Sequence, residues 1–541
     1  MLRSSLLTLT GFVLACGLAR AADPVPPAGF WKISIPTRGG EILLMVAFTE
    51  QDGKWVGDYL TSSQNLGAEP KFKSVKINRD KVQFVLELNG RELLSFDGVL
   101  AKDKKKIAGS MSMLGSELAL TELYPTKLRK LDDPVDIARD SLPQIEGGPL
   151  LFEAAGLVLS KAAEKKLTVD EVGAILDRVN KAAAGYGQRW ERDITTRIAE
   201  VLASQQGFAD VAVAQAKRAE RLLTDEDSAS TRLKVIGTIA TALTKAGKAD
   251  EAKQYQAQMA KLEARDLADY TKSFPFKTQP YAGRKGKSDR AVLVELFTGA
   301  ECPPCVAADL AFDGLMKTYK PADVVLLQYH IHVPGPDPLT SPDSMRRVEE
   351  YYSKEITGAP TVIIGGKPGP AGGGSAAAAE KKYTALREQI EEGLEKAPEV
   401  KLSLAIARGE KDGFTAKAAV SDLAKPGEKM MLRFALVEET IRYAGGNGVR
   451  YHHLVVRSMP GGIKGFPLTK KSMEQSVSFD PEELRKTLTK YLDDFAKNES
   501  PFPRPDRPLA LKNLKLIAFV QNDESREVLH AVQVNVDPMT Q

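Results

Sequence analysis

Cysteine is scarce in this sequence: the 541 residues contain three. Cys16 lies in a predicted export segment, so we expect the mature chain to keep only Cys302 and Cys305. Exported proteins that use disulfides for stability carry several pairs that close long loops. A pair three positions apart constrains the unfolded chain very little. The scarcity therefore excludes a disulfide-stapled scaffold, and Cys302-Pro303-Pro304-Cys305 indicates a redox or metal-binding function.

The sequence also lacks a large excess of charge of one sign and long hydrophobic runs. The 75 basic and 71 acidic side chains leave a net charge of +4, which gives no reason to expect a nucleic-acid partner. Beyond the export segment no stretch reaches about 18 uninterrupted apolar residues, so no membrane-spanning helix is predicted. The sequence also has no Ser-His-Asp order, P-loop or paired-carboxylate arrangement. Hydrolase and nucleotide-binding functions are therefore set aside.

The first residues have the pattern of a signal peptide. Arg3 supplies positive charge, residues 6–18 are apolar or small, and Ala19-Arg20-Ala21 is a small-x-small cleavage site. We therefore predict that residues 1–22 are removed and that the protein is exported, to the periplasm or outside the cell. An alternative is that residues 13–16 act as a lipobox, in which case an acylated Cys16 anchors the chain to a membrane.

The remaining length suggests a multidomain α+β protein with three or four domains. Residues 28–125 alternate apolar and polar side chains, with turns such as Asn89-Gly90 and one at Gly115, and predict about eight antiparallel strands in a small barrel or sandwich. We interpret this part as an accessory or docking domain. Residues 398–541 return to strand patterns around one helix and predict an antiparallel β-sandwich.

Residues 134–272 change to the period of helices. Their apolar residues recur at i, i+3, i+4 and i+7, which predicts helical hairpins. The end of this region, residues 242–252, is similar to the second half of a tetratricopeptide-type hairpin. Two interpretations stay open: a surface that contacts a protein partner, and a plain spacer.

The Cys-x-x-Cys element lies between a buried-type strand and a helix within residues 275–395. The strand covers residues 292–297, and Cys302 is expected at the N-terminal end of the helix that follows. Unpaired backbone N–H groups and the helix dipole stabilise a thiolate there. Cys302 is therefore the predicted attacking sulfur, and Cys305, one turn further on, the predicted resolving sulfur.

These motifs resemble the thioredoxin superfamily, since a second apolar strand at residues 324–329 and Gly358-Ala359-Pro360 follow the cysteines at matching positions. The resemblance implies a thioredoxin-like α/β domain in which Pro360 is the cis-proline opposite the cysteines. It also implies that Glu295, on the first strand, acts as a general base for Cys305. More narrowly, the chain is similar to secreted bacterial thioredoxin-like proteins of unassigned function.

Residues 436–439 and 519–523 also resemble the β domain of related outer-membrane-associated proteins. Two features depart from the thioredoxin pattern. Glu301 stands where thioredoxins have Trp, and its charge should raise the pKa of Cys302. The Gly- and Ala-rich residues 365–379 are interpreted as a flexible excursion near the active face.

The predicted function is an exported thiol-disulfide oxidoreductase that acts on protein thiols and disulfides without a cofactor. The sequence does not decide between oxidase, reductase and isomerase. One alternative is a zinc or copper site in which His330 and His332, two apart on a strand end, join the two cysteines. Another is a binding module that uses the thioredoxin-like domain as a scaffold.

Overall fold

The computed structural model describes residues 27–37, 40–114, 119–409, 413–504 and 506–536. The predicted signal peptide, including Cys16, and the predicted turn at Gly115 lie outside these residues. The described part of the chain divides into two compact units. The first comprises residues up to Asp227 together with Lys234–Ala257, and the second comprises Ser228–Leu233 and the chain from Gln258 onward.

The first unit begins with an eight-stranded antiparallel sheet. In chain order its strands are β1 Gly29–Thr37, β2 Gly40–Gln51, β3 Lys54–Ser62, β4 Lys71–Asn78, β5 Lys81–Leu88, β6 Arg91–Leu100, β7 Ile107–Met113 and β8 Ala119–Pro125. The strand order is β3-β2-β1-β8-β7-β6-β5-β4, and the edge strands β3 and β4 also contact each other. The sheet is therefore nearly closed. The prediction of about eight antiparallel strands is confirmed, and of the two predicted arrangements, barrel or sandwich, the sheet has the barrel-like one.

Apolar side chains fill the interior of this barrel. Alternate residues of β5, Val82, Phe84 and Leu86, are buried, as the period of a half-buried strand requires. The Phe84 ring lies 5.1 Å from that of Phe96 and 5.6 Å from that of Phe48, measured between centroids. The barrel thus forms a packed core of its own.

Helices follow the barrel. They are α1 Pro134–Ser141, α2 Pro149–Ser160, α3 Val169–Ala184, α4 Gln188–Ala203, α5 Ala209–Arg221, α6 Ala229–Lys245 and α7 Ala249–Lys272, with a short 3₁₀ turn at Leu142–Gln144. Local sequence explains their starts: Thr168 and Glu171 form a reciprocal capping box at α3, and Asp133 caps α1 with Pro134 in its first turn. Consecutive helices such as α4 and α5 pack against each other, as helical hairpins do.

The second unit contains two further sheets and four more helices. Its elements are β9 Val292–Thr298, α8 Val306–Thr318, β10 Val324–His330, α9 Pro342–Arg346, β11 Thr361–Ile364, β12 Lys367–Pro368, α10 Ala379–Leu394, β13 Lys401–Arg408, β14 Phe414–Ser421, β15 Gly427–Arg442, β16 Tyr451–Ser458, β17 Phe466–Leu468, β18 Met473–Phe479, α11 Pro481–Asn498, β19 Leu514–Asn522 and β20 Val528–Asn535. Short 3₁₀ turns at Pro303–Cys305 and Ala376–Ala378 precede α8 and α10, and one π-helical turn, Arg347–Tyr351, follows α9.

The larger sheet joins strands from both halves of this unit. Its order is β12-β11-β9-β10-β16-β15-β19-β20, with β17 beside β15, while β13, β14 and β18 form the smaller sheet. β9 and β10 are parallel, and β10 also pairs in parallel with β16. The segments predicted as separate regions, 275–395 and 398–541, therefore share one sheet.

Two hydrophobic cores lie on opposite faces of β15 and β19. Ala435 and Val437 of β15 pack with β9 and β10, whereas Leu432, Phe434 and Leu436 pack with the smaller sheet and α11. Because both faces are covered, these strands are apolar almost without interruption. No helix among the described residues has the length and apolar character that a bilayer crossing needs.

Candidate functional site

Cys302 and Cys305 form a disulfide in the segment that connects β9 to α8, with Cα atoms 5.3 Å apart. β9 is buried along its whole length, and Gly299 to Glu301 lead from its end to the first cysteine. The Cys302 N–H donates to the Gly299 carbonyl at 3.1 Å, and the Cys305 N–H donates to the Cys302 carbonyl at 3.0 Å. Cys302 is 1% exposed and Cys305 is fully buried.

The first backbone amides of α8 donate hydrogen bonds to backbone carbonyls. Pro303 and Pro304 have no N–H, and the Val306 N–H donates to the Pro303 carbonyl. The Ala307 N–H donates to the Gly374 carbonyl at 2.9 Å, and the Gly374 N–H returns a bond of 2.7 Å to the Pro304 carbonyl. The unpaired amides that we predicted beside a Cys302 thiolate therefore have backbone partners. The dipole of α8 still favours a thiolate at its N-terminal end.

The loop before β11 approaches the first sulfur. The Ala359–Pro360 peptide bond is cis, and Cys302 Sγ lies 3.9 Å from the Ala359 carbonyl oxygen. β11 then runs antiparallel to β9, with Thr361 opposite Phe297. The structure thus brings Pro360 and the two cysteines together.

A second cis bond, Val333–Pro334, follows β10, and the Val333 carbonyl lies close to Gly299. A Cβ atom at Gly299 would stand 2.5 Å from the Val333 carbonyl oxygen and 3.5 Å from Cys302 Cβ. This close backbone approach explains why residue 299 is glycine.

Glu295 is held in a buried ion pair. Arg347 donates to its Oε1 from Nε at 3.1 Å and from the second guanidinium nitrogen at 2.9 Å, and Tyr352 donates to its Oε2 at 2.8 Å. Arg347 also donates to Gln521 of β19 at 2.9 Å. The predicted base therefore has both oxygens engaged in a network that joins β9, the π-helical turn and β19. The sequence analysis missed Arg347, which has no motif around it.

Asp309 is a buried acid that the sequence analysis also missed. It lies on α8 one turn after Cys305, a spacing that was readable from the sequence. Its Oδ1 accepts from Thr298 Oγ1 at 2.7 Å and from Gln328 Nε2 at 3.2 Å, and its Oδ2 accepts from Asn447 Nδ2 at 3.4 Å. Burial raises the pKa of Asp309 to about 7, despite the Thr298 hydrogen bond and the charge of His330, which both lower it.

The two histidines of the metal hypothesis both contact Asp337. His330 Nδ1 lies 2.8 Å from Asp337 Oδ2, which also accepts from the Ala300 N–H at 2.6 Å. His332 Nδ1 accepts from the Asp337 N–H at 3.0 Å, and its Nε2 lies 3.0 Å from the Tyr491 hydroxyl. Within the described ranges, no three metal-ligating side chains are grouped as an ion would require. His330 and His332 therefore hold the loop after β10, through Asp337.

Glu301 contacts the loop between β15 and β16. Its carboxylate accepts from the Gly446 N–H at 2.7 Å and from the Tyr443 hydroxyl at 3.2 Å. A Cβ atom at Gly445 would overlap the Ala300 carbonyl, so residue 445 must be small for the loop to dock. The Glu301 carboxylate, whose charge we expected to act on Cys302, thus accepts hydrogen bonds from this loop.

No protein-family model and no curated protein matches the chain. Among solved structures, HBP35 of Porphyromonas gingivalis is similar at 16% identity with a TM-score of 0.33, over 48% of this chain and 79% of HBP35. A domain of the outer membrane lipoprotein Omp28 from Porphyromonas gingivalis is similar at 14% identity with a TM-score of 0.17, over 27% of this chain and 93% of that domain. Both TM-scores are low, and neither protein identifies a family.

Proposed function

We propose that this protein is an exported thiol-disulfide oxidoreductase of thioredoxin type that acts on cysteines of other proteins through Cys302 and Cys305. The observation that supports it most is the position of the disulfide between the end of β9 and the start of α8, with Ala359 and Pro360 against the first sulfur. The parallel pair of β9 and β10, antiparallel β11 and the two helices α8 and α10 agree with a thioredoxin-like arrangement.

The exchange needs two sulfur atoms with different roles. The Cys302 thiolate attacks a substrate disulfide, an S–S bond forms to the substrate, and the other substrate sulfur leaves as a thiolate. Cys305 then loses its proton and attacks Cys302, which closes the protein disulfide and releases the second substrate thiolate. The substrate is reduced and the protein is oxidised, and the reverse sequence oxidises a substrate dithiol.

The surroundings of Cys302 favour the reducing direction. A dithiol protein is a strong oxidant when its reduced form is stabilised, as happens when backbone amides support the attacking thiolate. In this chain the amides of Val306 and Ala307 already donate to carbonyls, and two prolines carry none. The reduced form is therefore weakly stabilised, and we expect a low reduction potential.

Asp309 is placed to take the role that the resemblance gave to Glu295. A base for Cys305 needs a carboxyl group that can gain and lose a proton near neutral pH. Asp309 satisfies this, since burial raises its pKa to about 7. Glu295 is instead bound to Arg347.

The test is thiol trapping of the purified exported protein across a series of glutathione and dithiothreitol ratios, together with insulin reduction. We expect the pair to cycle, Cys302→Ser to abolish substrate trapping, and Cys305→Ser to accumulate mixed disulfides. A pair that cannot be reduced and reoxidised, or trapping unchanged by Cys302→Ser, contradicts the proposal.

One observation favours a second candidate, a non-catalytic binding module. Cys302 is 1% exposed, and the loop between β15 and β16 donates to the residues just before it, with the Asn447 N–H 3.0 Å from the Ala300 carbonyl oxygen. We therefore expect that a substrate sulfur can reach Cys302 only after the segments that bury this cysteine move. Pull-down of a partner that is indifferent to both cysteines would support this candidate.

A further inference from the structure

Four titratable side chains are spaced four residues apart along α8: Cys305, which precedes its first residue, Asp309, Asp313 and Lys317. Residues at this spacing lie on one face of a helix. Cys305, Asp309 and Asp313 are buried, with 0%, 2% and 6% exposure, whereas Lys317 is exposed. The helix therefore presents a row of proton-carrying groups that begins at the disulfide and ends at the surface of the second unit.

Asp309 has polar neighbours and no ion-pair partner among the described residues. Thr298 and Gln328 donate to it from β9 and β10. The charged or titratable groups that face it are His330, Asp337, Asp313 and Tyr270. Gln328 Oε1 is buried and has no hydrogen-bond partner in the described part of the chain. The Gln328 side chain already contacts Asp309 through its Nε2. Its Oε1 can therefore accept a hydrogen bond from a protonated Asp309 or from a water molecule.

Asp313 has a similar environment one turn further along. The titratable groups that face it are Tyr270 of α7, His453 of β16 and, on its own helix, Asp309 and Lys317. His453 Nε2 lies 3.9 Å from Asp313 Oδ1, but burial lowers the pKa of His453 to about 4, so this histidine is neutral at pH 7. The Tyr270 hydroxyl is buried and interacts with the Asp313 carboxyl, whose pKa it lowers.

Two buried carboxyl groups one helical turn apart are costly for stability when both are charged. Burial raises the pKa of Asp313 to about 8, against the opposing effect of Lys317, and that of Asp309 to about 7. Groups that titrate near neutral pH accept and release protons at little cost in free energy. The Asp313 charge also raises the pKa of Asp309, so the protonation of one carboxyl affects that of the other.

We propose that Asp309 and Asp313 form a proton relay that connects Cys305 to solvent near Lys317. When Cys305 attacks the mixed disulfide, its thiol proton passes to Asp309 and then to Asp313, from which it leaves to water. The Cys305–Cys302 bond forms, the bond from Cys302 to the substrate breaks, and the substrate thiolate takes a proton from solvent. Reduction of the protein disulfide returns a proton along the same path. The inference rests on the proposed redox function and adds the route by which a buried thiol exchanges its proton.

The relay predicts a specific pH dependence for the resolving step. The full-length exported protein is reduced and mixed with oxidised glutathione, and the decay of the Cys302–glutathione mixed disulfide is followed from pH 5.5 to pH 9. We expect Asp313→Asn to slow this decay about tenfold near pH 7, less than the ~10²–10⁴ that a general base itself contributes, because Asp309 stays in place. The difference should shrink as pH rises, since hydroxide then deprotonates Cys305 directly. Asp313→Glu should restore most of the rate.

The matched control is Asp343→Asn. Burial also raises the pKa of Asp343. This residue accepts a hydrogen bond from the Met459 N–H and does not belong to the row on α8. Its pH profile should coincide with that of the unmodified protein. A profile for Asp313→Asn that equals the control's overturns the relay.

If Asp313→Asn does not fold, a second measurement on the unmodified protein tests the relay. Resolution by the unmodified protein is repeated in D₂O, and we expect a rate at least twofold lower because protons move in the slow step. An unchanged rate in D₂O contradicts the relay. If the unmodified pair cannot be cycled by glutathione at all, the proposed redox function fails, whereas normal cycling without the pH and isotope effects removes only the relay.

Discussion

At the scale of single residues, two buried carboxylates of the second unit have opposite electrostatic surroundings. Glu295 is paired with Arg347 and accepts a further bond from Tyr352, so its charge is neutralised and both oxygens have donors. Asp309 accepts only from uncharged groups, and burial raises its pKa. The first arrangement stabilises a charge permanently, whereas the second allows a proton to come and go.

Glu295→Gln should therefore act on stability. The substitution leaves the Arg347 guanidinium buried without a counter-charge, and breaking a buried pair in this way costs about 3–5 kcal/mol. We expect a loss of that size in the free energy of unfolding, measured by urea denaturation.

The matched control is Glu483→Gln, which removes the carboxylate of the exposed Lys486–Glu483 pair and should lower the free energy of unfolding only slightly. Slow disulfide exchange with unchanged stability in Glu295→Gln would instead support the role of Glu295 as a base.

At the scale of elements, the glycine-rich connection between β12 and α10 docks on the disulfide turn. Gly374 exchanges two backbone hydrogen bonds with the turn, one with Pro304 and one with Ala307. A Cβ atom at Gly373 would overlap the Pro304 carbonyl oxygen and stand 2.9 Å from Pro360 Cδ. The interpretation of residues 365–379 as an excursion near the active face thus gains a defined contact, and the contact depends on glycine.

Gly373→Ala should push this connection away from the turn. Loss of the two hydrogen bonds should lower stability by about 1–3 kcal/mol, since each contributes roughly 0.5–1.5 kcal/mol. The freed Ala307 amide and the greater access should also speed alkylation of reduced Cys302 by iodoacetamide. Gly358→Ala is the control, because a Cβ atom there meets nothing within 4 Å. Equal alkylation rates in the two variants would show that the docked connection does not shield the site.

At the scale of the second unit, the strands after residue 398 complete the sheet that carries the cysteines. β16 pairs with β10 through Gln328 and Val455, and Val437, Val456 and Phe519 belong to the same core as β9 and β10. This sheet has no free edge at β10, because the later strands cover it.

A chain that ends at residue 396 should therefore fail to fold its disulfide-bearing part. It would expose the β10 edge and the apolar surface that normally meets β15, β16 and β19, which favours aggregation. We expect aggregates in size-exclusion chromatography and a loss of β signal in circular dichroism for residues 258–396, compared with the full chain. A monomeric fragment with a native-like spectrum would show that residues 398–541 are a separable domain.

Features with a local cause were readable from the sequence. The alternation of Val82, Phe84 and Leu86 predicts strand β5, because side chains of a strand point alternately to the core and to solvent. The position of the Cys-x-x-Cys element between a strand and a helix was also predictable, because the residues next to the cysteines determine where the strand ends and the helix begins. The spacing of Cys305, Asp309 and Asp313 was equally visible, but the sequence did not show that this helix face is buried.

Only the tertiary structure decided what surrounds these residues. The pairing of Glu295 with Arg347, the docking of Gly374 on Pro304 and the contact of Glu301 with Gly446 join positions 52, 70 and 145 residues apart. The shared sheet likewise depends on β16 finding the open edge of β10, more than a hundred residues earlier in the chain. A carboxylate or an amide has the same covalent structure in the unfolded and in the folded chain. Its pKa, its partners and therefore its chemistry follow from burial and from neighbours that the chain brings together only on folding.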